Sequence, residues 1–118
     1  MDGFYKRNVV AFFIGDGKDT AKRARKLHFD YGVDSVIFDI RPSLLSRICP
    51  FIRAVSSAHA REDSLLLALI DSEIERCDKD VILLFPQSDE ARRLVELNAD
   101  FFDTRFIRDG ELISDALK

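Results

Sequence analysis

Three short stretches hold the residues best able to meet a ligand: Gly15-Asp16-Gly17, Asp39-Ile40-Arg41-Pro42, and Pro86-Gln87-Ser88-Asp89-Glu90. Two glycines around one acid let a ligand approach backbone amides closely, with a carboxylate beside it. The same glycines also suit a plain tight turn that needs positive φ. Asp39 can accept hydrogen bonds from a polar ligand, or pair with Arg41 or Arg47 at a solvated rim. Ser88, Asp89 and Glu90 fit a helix N-terminus, where a hydroxyl caps a free amide and carboxylates meet the positive end of the dipole. None of these groups makes a nucleophile–base pair. His28 falls on the core-facing side of a predicted helix, which favours a hydrogen-bonded packing role. His59 lies in a polar link with no acid or cysteine at fixed spacing. Cys49 and Cys77 form no CxxC or Cys/His cluster, so they read as free structural thiols.

These stretches matter because of the elements that carry them. Asn8 to Ile14 is a continuous β-branched and aromatic run, the pattern of a strand covered on both faces. It breaks at Gly15. From Lys18 to Tyr31 apolar positions recur at helical spacing, with Asp19 or Thr20 as N-cap and Gly32 as C-cap. Val33 to Ile40 reads as a second strand closing at Asp39, and Pro42 turns the chain. Ser43 to Cys49 is a short helix stopped by Pro50, and Phe51 to Ser57 is a short edge strand. Asp63 or Ser64 caps a helix to about Cys77, with Leu66, Leu67, Ile70 and Ile74 on one face. Lys79 to Phe85 is another buried-type strand, Ser88 caps a helix to Leu97, and Phe101 to Ile107 predicts a last strand. Strands alternating with helices at such spacings require crossover connections. The expected fold is α/β: a Rossmann-like parallel sheet of about five strands flanked by helices, with the first strand central. All three stretches then fall at carboxyl ends of strands, where open parallel sheets bind ligands.

A dinucleotide fingerprint is incomplete here. Gly15-Asp16-Gly17 supplies G-x-G and Asp39 stands where a ribose-binding acid would lie, but Thr20 takes the third glycine position. No G-x-x-x-x-G-K-[ST] loop occurs. The chain has 118 residues, 47% of them hydrophobic, which suits one core and is too short for two. Charges of both signs are mixed and the net charge is −3, leaving no electrostatic footprint for nucleic acid or a membrane surface. No apolar run approaches the roughly 20 residues of a membrane span. The start, MDGFYKRN, lacks the apolar region of a signal peptide, so a cytoplasmic location is expected.

Taken in order, the motifs resemble the pre-ATP-grasp domain that begins carboxylate–amine ligases of the ATP-grasp superfamily, particularly the short carbamoyl-phosphate-synthase-like proteins. The family pattern has a glycine turn after the first strand, as at Gly15 and Gly17, then a helix matched by Ala24, Leu27 and Gly32. An acid follows the second strand, as at Asp39. A proline and an "SR.C" stretch follow, matching Pro42 and Ser46-Arg47-Ile48-Cys49. Then comes "P.SDE...L...N", matching Pro86, Ser88-Asp89-Glu90, Leu94 and Asn98. The resemblance covers almost the whole chain. It implies a pre-ATP-grasp domain over residues 1–110, with 111–118 opening the connection to a missing ATP-grasp catalytic module. It implies that ATP and magnesium serve the parent enzyme and that this chain holds no cofactor and has no activity alone. Its partners would be the missing module and a small-molecule substrate, with a homodimer left open. The substrate-binding residues implied are Gly15, Asp16, Gly17, Asp39, Ser88, Asp89 and Glu90, and none is catalytic. The alternative is a stand-alone Rossmann- or flavodoxin-like binding or regulatory module. A receiver domain fits poorly, since Asp16 alone meets its need for an acidic cluster and Pro86 stands where its switch residues begin.

Overall fold

The computed structural model describes residues 9–15, 19–39, 44–56, 63–79 and 81–103. Four strands and five helices alternate in them: β1 (Val9–Ile14), α1 (Thr20–Tyr31), β2 (Asp34–Asp39), α2 (Leu44–Ile48), β3 (Ile52–Ser56), α3 (Asp63–Cys77), β4 (Val81–Pro86), α4 (Asp89–Leu97) and α5 (Ala99–Asp103). All pairings are parallel and the order is β3-β2-β1-β4, so β1 lies inside the sheet. This is the Rossmann order. A flavodoxin-like sheet would place β3 on the other side of β1.

The register explains why β1 is apolar throughout. Phe12 stands beside Val36 of β2 and Leu84 of β4, and Phe13 beside Ile37 and Phe85. Alternate residues then fill two separate cores. On one face Val10, Phe12, Ile14, Val36, Phe38, Ile82 and Leu84 pack against Leu66 and Ile70 of α3, Leu94 and Val95 of α4, and Phe102 of α5. On the other, Val9, Ala11, Phe13, Ile37 and Leu83 pack against Ala21, Ala24 and Leu27 of α1. The small alanines let α1 lie close to the sheet. Gly32 ends that helix at φ 71°, its N–H donating to the His28 and Leu27 carbonyls, a left-handed geometry that suits glycine. At α4, Ser88 accepts the Ala91 N–H at 3.0 Å, as the cap reading expects.

The described sheet has four strands, not about five. Where a strand was expected from Phe101, the chain forms α5 instead. The Asn98 carbonyl accepts the N–H groups of Phe101 and Phe102 and starts a new helical turn. That turn drops Phe102 fully into the core beside Phe101, with ring centroids 5.1 Å apart. Adjacent aromatics suggest strand, but burial of one ring through a helical turn overrides that preference. Residues 104–107, the remainder of the expected strand, lie outside the described residues, as do 111–118.

Candidate functional site

β1 hands the chain to α1 on one face of the sheet, whereas the adjacent β4 hands it to α4 on the other. The two connections diverge, and the carboxyl ends of β1 and β4 therefore border a crevice at the point where strand order reverses. Its floor is fixed by two backbone bonds. Gly15 N–H donates to the Phe38 carbonyl at 2.8 Å, and Gln87 N–H donates to the Ile14 carbonyl at 2.9 Å. Gly15 holds φ 94°, a conformation L side chains rarely adopt, so the backbone there favours glycine. A Cβ on it would lie 3.7 Å from Gln87 Cβ and 4.0 Å from Ser88 Oγ, which sets Gly15, Gln87 and Ser88 side by side.

Two polar side chains bridge the diverging turns: Thr20, which the sequence offered only as a helix cap, and Gln87, which lies in the third candidate stretch without a binding role of its own. The buried Thr20 hydroxyl donates to Gln87 Oε1 at 3.4 Å, and Gln87 Nε2 donates to the Phe85 carbonyl at 3.3 Å. The first helical residue after β1 is thus joined to the first residue after β4. Gln87 directly follows an apolar strand and precedes a helix cap, the one signal that could have singled it out. Thr20 also occupies the third-glycine position of the dinucleotide fingerprint, and its buried side chain takes the space that a glycine would leave open.

The two helix starts differ in charge. α4 is capped by Ser88 and carries Asp89 and Glu90 in its first turn. Asp89 is fully exposed and paired to Arg92 at 2.9 Å, and Glu90 is exposed. These residues do the work of a helix N-terminus. At α1 the Asp19 side chain makes no capping bond, the first turn has no acid, and Lys22 and Arg23 are exposed on it. The Arg23 guanidinium lies 5.9 Å from the Phe85 ring centre, above the Phe13–Phe85 stack. An anionic group is therefore better matched to the α1 side of the crevice, and a cationic or hydroxylated one to the α4 side.

Asp39 ends β2, half-buried and in register with Ser56 of β3, one strand away from β1. The structure brings Gly15, Ser88, Asp89 and Glu90 to one end of the sheet, with Asp39 along the same edge. Asp16 and Gly17 lie outside the described residues, as does Arg41.

His28 sits at the opposite end of the sheet. It stacks on Phe51 at 4.1 Å and its Nδ1 lies 3.1 Å from Asp34 Oδ1, a packing role at a partly exposed rim rather than in the core. Cys49 and Cys77 are free and half-buried. Burial pushes the Cys77 thiol up, against the opposing influence of Arg76. A buried acid went unnoticed in the sequence: Glu73 receives Arg53 Nε at 2.6 Å and Arg76 Nε at 3.0 Å, tying edge strand β3 to α3. It shares a helix stripe with Leu66 and Ile70, so an acid at core spacing was the available signal.

No protein-family model and no curated protein matches this chain. Among the described residues no three His, Cys, Asp or Glu side chains are grouped to hold a metal ion, and no helix is long and apolar enough to cross a membrane.

Proposed function

We propose that this chain is the substrate-side, N-terminal domain of an ATP-dependent carboxylate–amine ligase of the ATP-grasp superfamily, binding substrate without performing chemistry itself. The observation that carries a binding role is the crevice between the ends of β1 and β4, lined by a glycine turn at φ 94° and by the Thr20–Gln87 bridge. The ligase assignment is supported by the order of the motifs, above all Ser46-Arg47-Ile48-Cys49 with Pro86-Gln87-Ser88-Asp89-Glu90.

In this reading the amides after β1 receive the substrate carboxylate, and Arg23 adds positive charge beside them. Asp39, Asp89 and Glu90 lie along one end of the sheet as an acidic rim that favours an amine or hydroxyl on the same molecule, and the sequence offers Asp16 for the same role. ATP and magnesium would supply carboxylate activation in a companion module. In this chain the contribution is to orient the substrate by amides, the Gln87 side chain and the rim acids. The encoding reading frame tests the assignment: continuation past the Lys118 codon into an ATP-grasp module is the expected result, and a stop codon there overturns it. In the longer protein, Gly17→Val and Asp16→Ala variants are expected to raise the KM for the substrate carboxylate. Unchanged substrate affinity in variants that fold normally would remove the binding role.

A further inference from the structure

The outer faces of α1 and of α4–α5 carry opposite charge and lie on opposite sides of the sheet. α1 buries Ala21, Ala24 and Leu27 and exposes Lys22, Arg23, Arg25 and Lys26, with Phe29 following on the same exposed side. Asp30 offsets one of these charges by pairing with Lys26 at 2.9 Å. Phe29 is 70% exposed although it makes edge contacts with Phe51 and His28, and Ile48, three residues before Phe51, is 66% exposed. On the other side, α4 and α5 bury Leu94, Val95 and Phe102 and expose Glu90, Glu96, Asp100 and Asp103 around Leu97, which is 71% exposed; Arg93 is exposed on the same face, which stays acidic because these acids outnumber it. Arg92 is engaged by Asp89 within that face.

We propose that these faces are complementary and that the occupant of each is a second copy of this chain, docked head to tail. The α1 face of one copy covers the α4–α5 face of the next, with Phe29 against Leu97 and the basic residues against Glu96 and Asp103. Charge selects this arrangement over a two-fold dimer. A two-fold axis would set a basic face on a basic face or an acidic one on an acidic one, and like charges across an interface are disfavoured. The contact is heterologous, so it closes into a ring or grows as an open chain. Phe29 and Leu97 lie toward the helix ends remote from Gly15 and Ser88, so the apolar centre of the contact is away from the crevice. The proposal does not depend on the ligase assignment.

Sedimentation velocity across a concentration series tests it. At low salt the sedimentation coefficient of the chain is expected to rise with concentration. At about 1 M salt, where the Debye length is about 3 Å, it is expected to fall to the monomer value. A Lys22→Glu/Arg25→Glu variant and a Glu96→Lys/Asp103→Lys variant each change exposed residues only, and far-UV circular dichroism checks that both fold. Each alone is expected to associate at least about tenfold more weakly than the parent chain, because both of its faces then carry one sign. Mixing the two is expected to restore association, since the faces become complementary between variants. Phe29→Ser is expected to weaken association at low salt, although it leaves the charge of both faces unchanged. A monomer throughout the series, either charge variant associating like the parent, or no recovery on mixing overturns the proposal.

Discussion

Replacing Gly15 with alanine isolates the backbone cost of the turn at the crevice. The added Cβ meets its nearest neighbours, Gln87 Cβ and Ser88 Oγ, at 3.7 and 4.0 Å, which is ordinary van der Waals contact, so no steric penalty is expected. What remains is the positive φ of 94°. A left-handed conformation costs an L residue about 1–2 kcal/mol, and 94° lies beyond the centre of that region, toward the upper figure. Alanine also narrows the unfolded ensemble, which returns about 0.4–1 kcal/mol. The net loss is therefore about 1–1.6 kcal/mol, or a fall in Tm of about 4–6 °C at roughly 4 °C per kcal/mol for a chain of this size. Urea unfolding followed by circular dichroism should show a lower midpoint with an unchanged slope. Asparagine, which tolerates left-handed backbone better, should lose less than alanine. An alanine variant as stable as the parent would refute the assignment of Gly15 to a strained turn, and an asparagine variant worse than alanine would show that space, not φ, decides.

Further substitutions probe the frame around the site. Ser35→Ala removes a buried hydroxyl that has no hydrogen-bond partner among the described residues, so stability is expected to be unchanged or to rise by up to about 1 kcal/mol, and a clear loss in urea unfolding contradicts it. Glu73→Ala frees Arg53 and Arg76, whose side chains are half-exposed and can be rehydrated. The expected loss is about 1–2 kcal/mol rather than the 3–5 of a fully buried pair, and a double-mutant cycle with Arg53→Ala should show positive coupling. Because burial raises the Cys77 pKa, less thiolate is present at mildly alkaline pH in the folded chain than in the unfolded one. In a Cys49→Ser background a disulfide reagent should react more slowly without urea than with it, the gap narrowing as pH rises. Equal rates would exclude a protected thiol.

Much of the frame was legible because its signals are local. The VVAFFI run of β1 and the VILLF run of β4 have no polar position, which only two-sided cover explains, and the cores on both faces bear this out. Ser88 followed by two acids named the start of α4. Two features were hidden because they depend on tertiary contacts. Phe101 and Phe102 look like strand residues, but a helical turn begun at the Asn98 carbonyl buries the Phe102 ring against Leu94 and Val95 of α4. Thr20 and Gln87 are 67 residues apart, and nothing local links them; only the adjacency of β1 and β4 brings them together. At the rim, Ser88 and Asp89 serve the helix they begin. What distinguishes the crevice is therefore the glycine turn, the bridge and the basic start of α1.

The central claim is that the carboxyl end of the sheet between β1 and β4 receives a small molecule bearing both a carboxylate and an amine. Amide chemical shifts of isotopically labelled chain, followed while each proteinogenic amino acid is titrated in separately, test it most directly. For at least one amino acid the saturating shifts should cluster at Gly15, Thr20, Asp39 and Gln87 to Ala91. That pattern should be lost in the Gly15→Ala variant. Titrations that leave those amides unmoved, or that shift only the Phe29–Phe51 end of the sheet, would contradict the account.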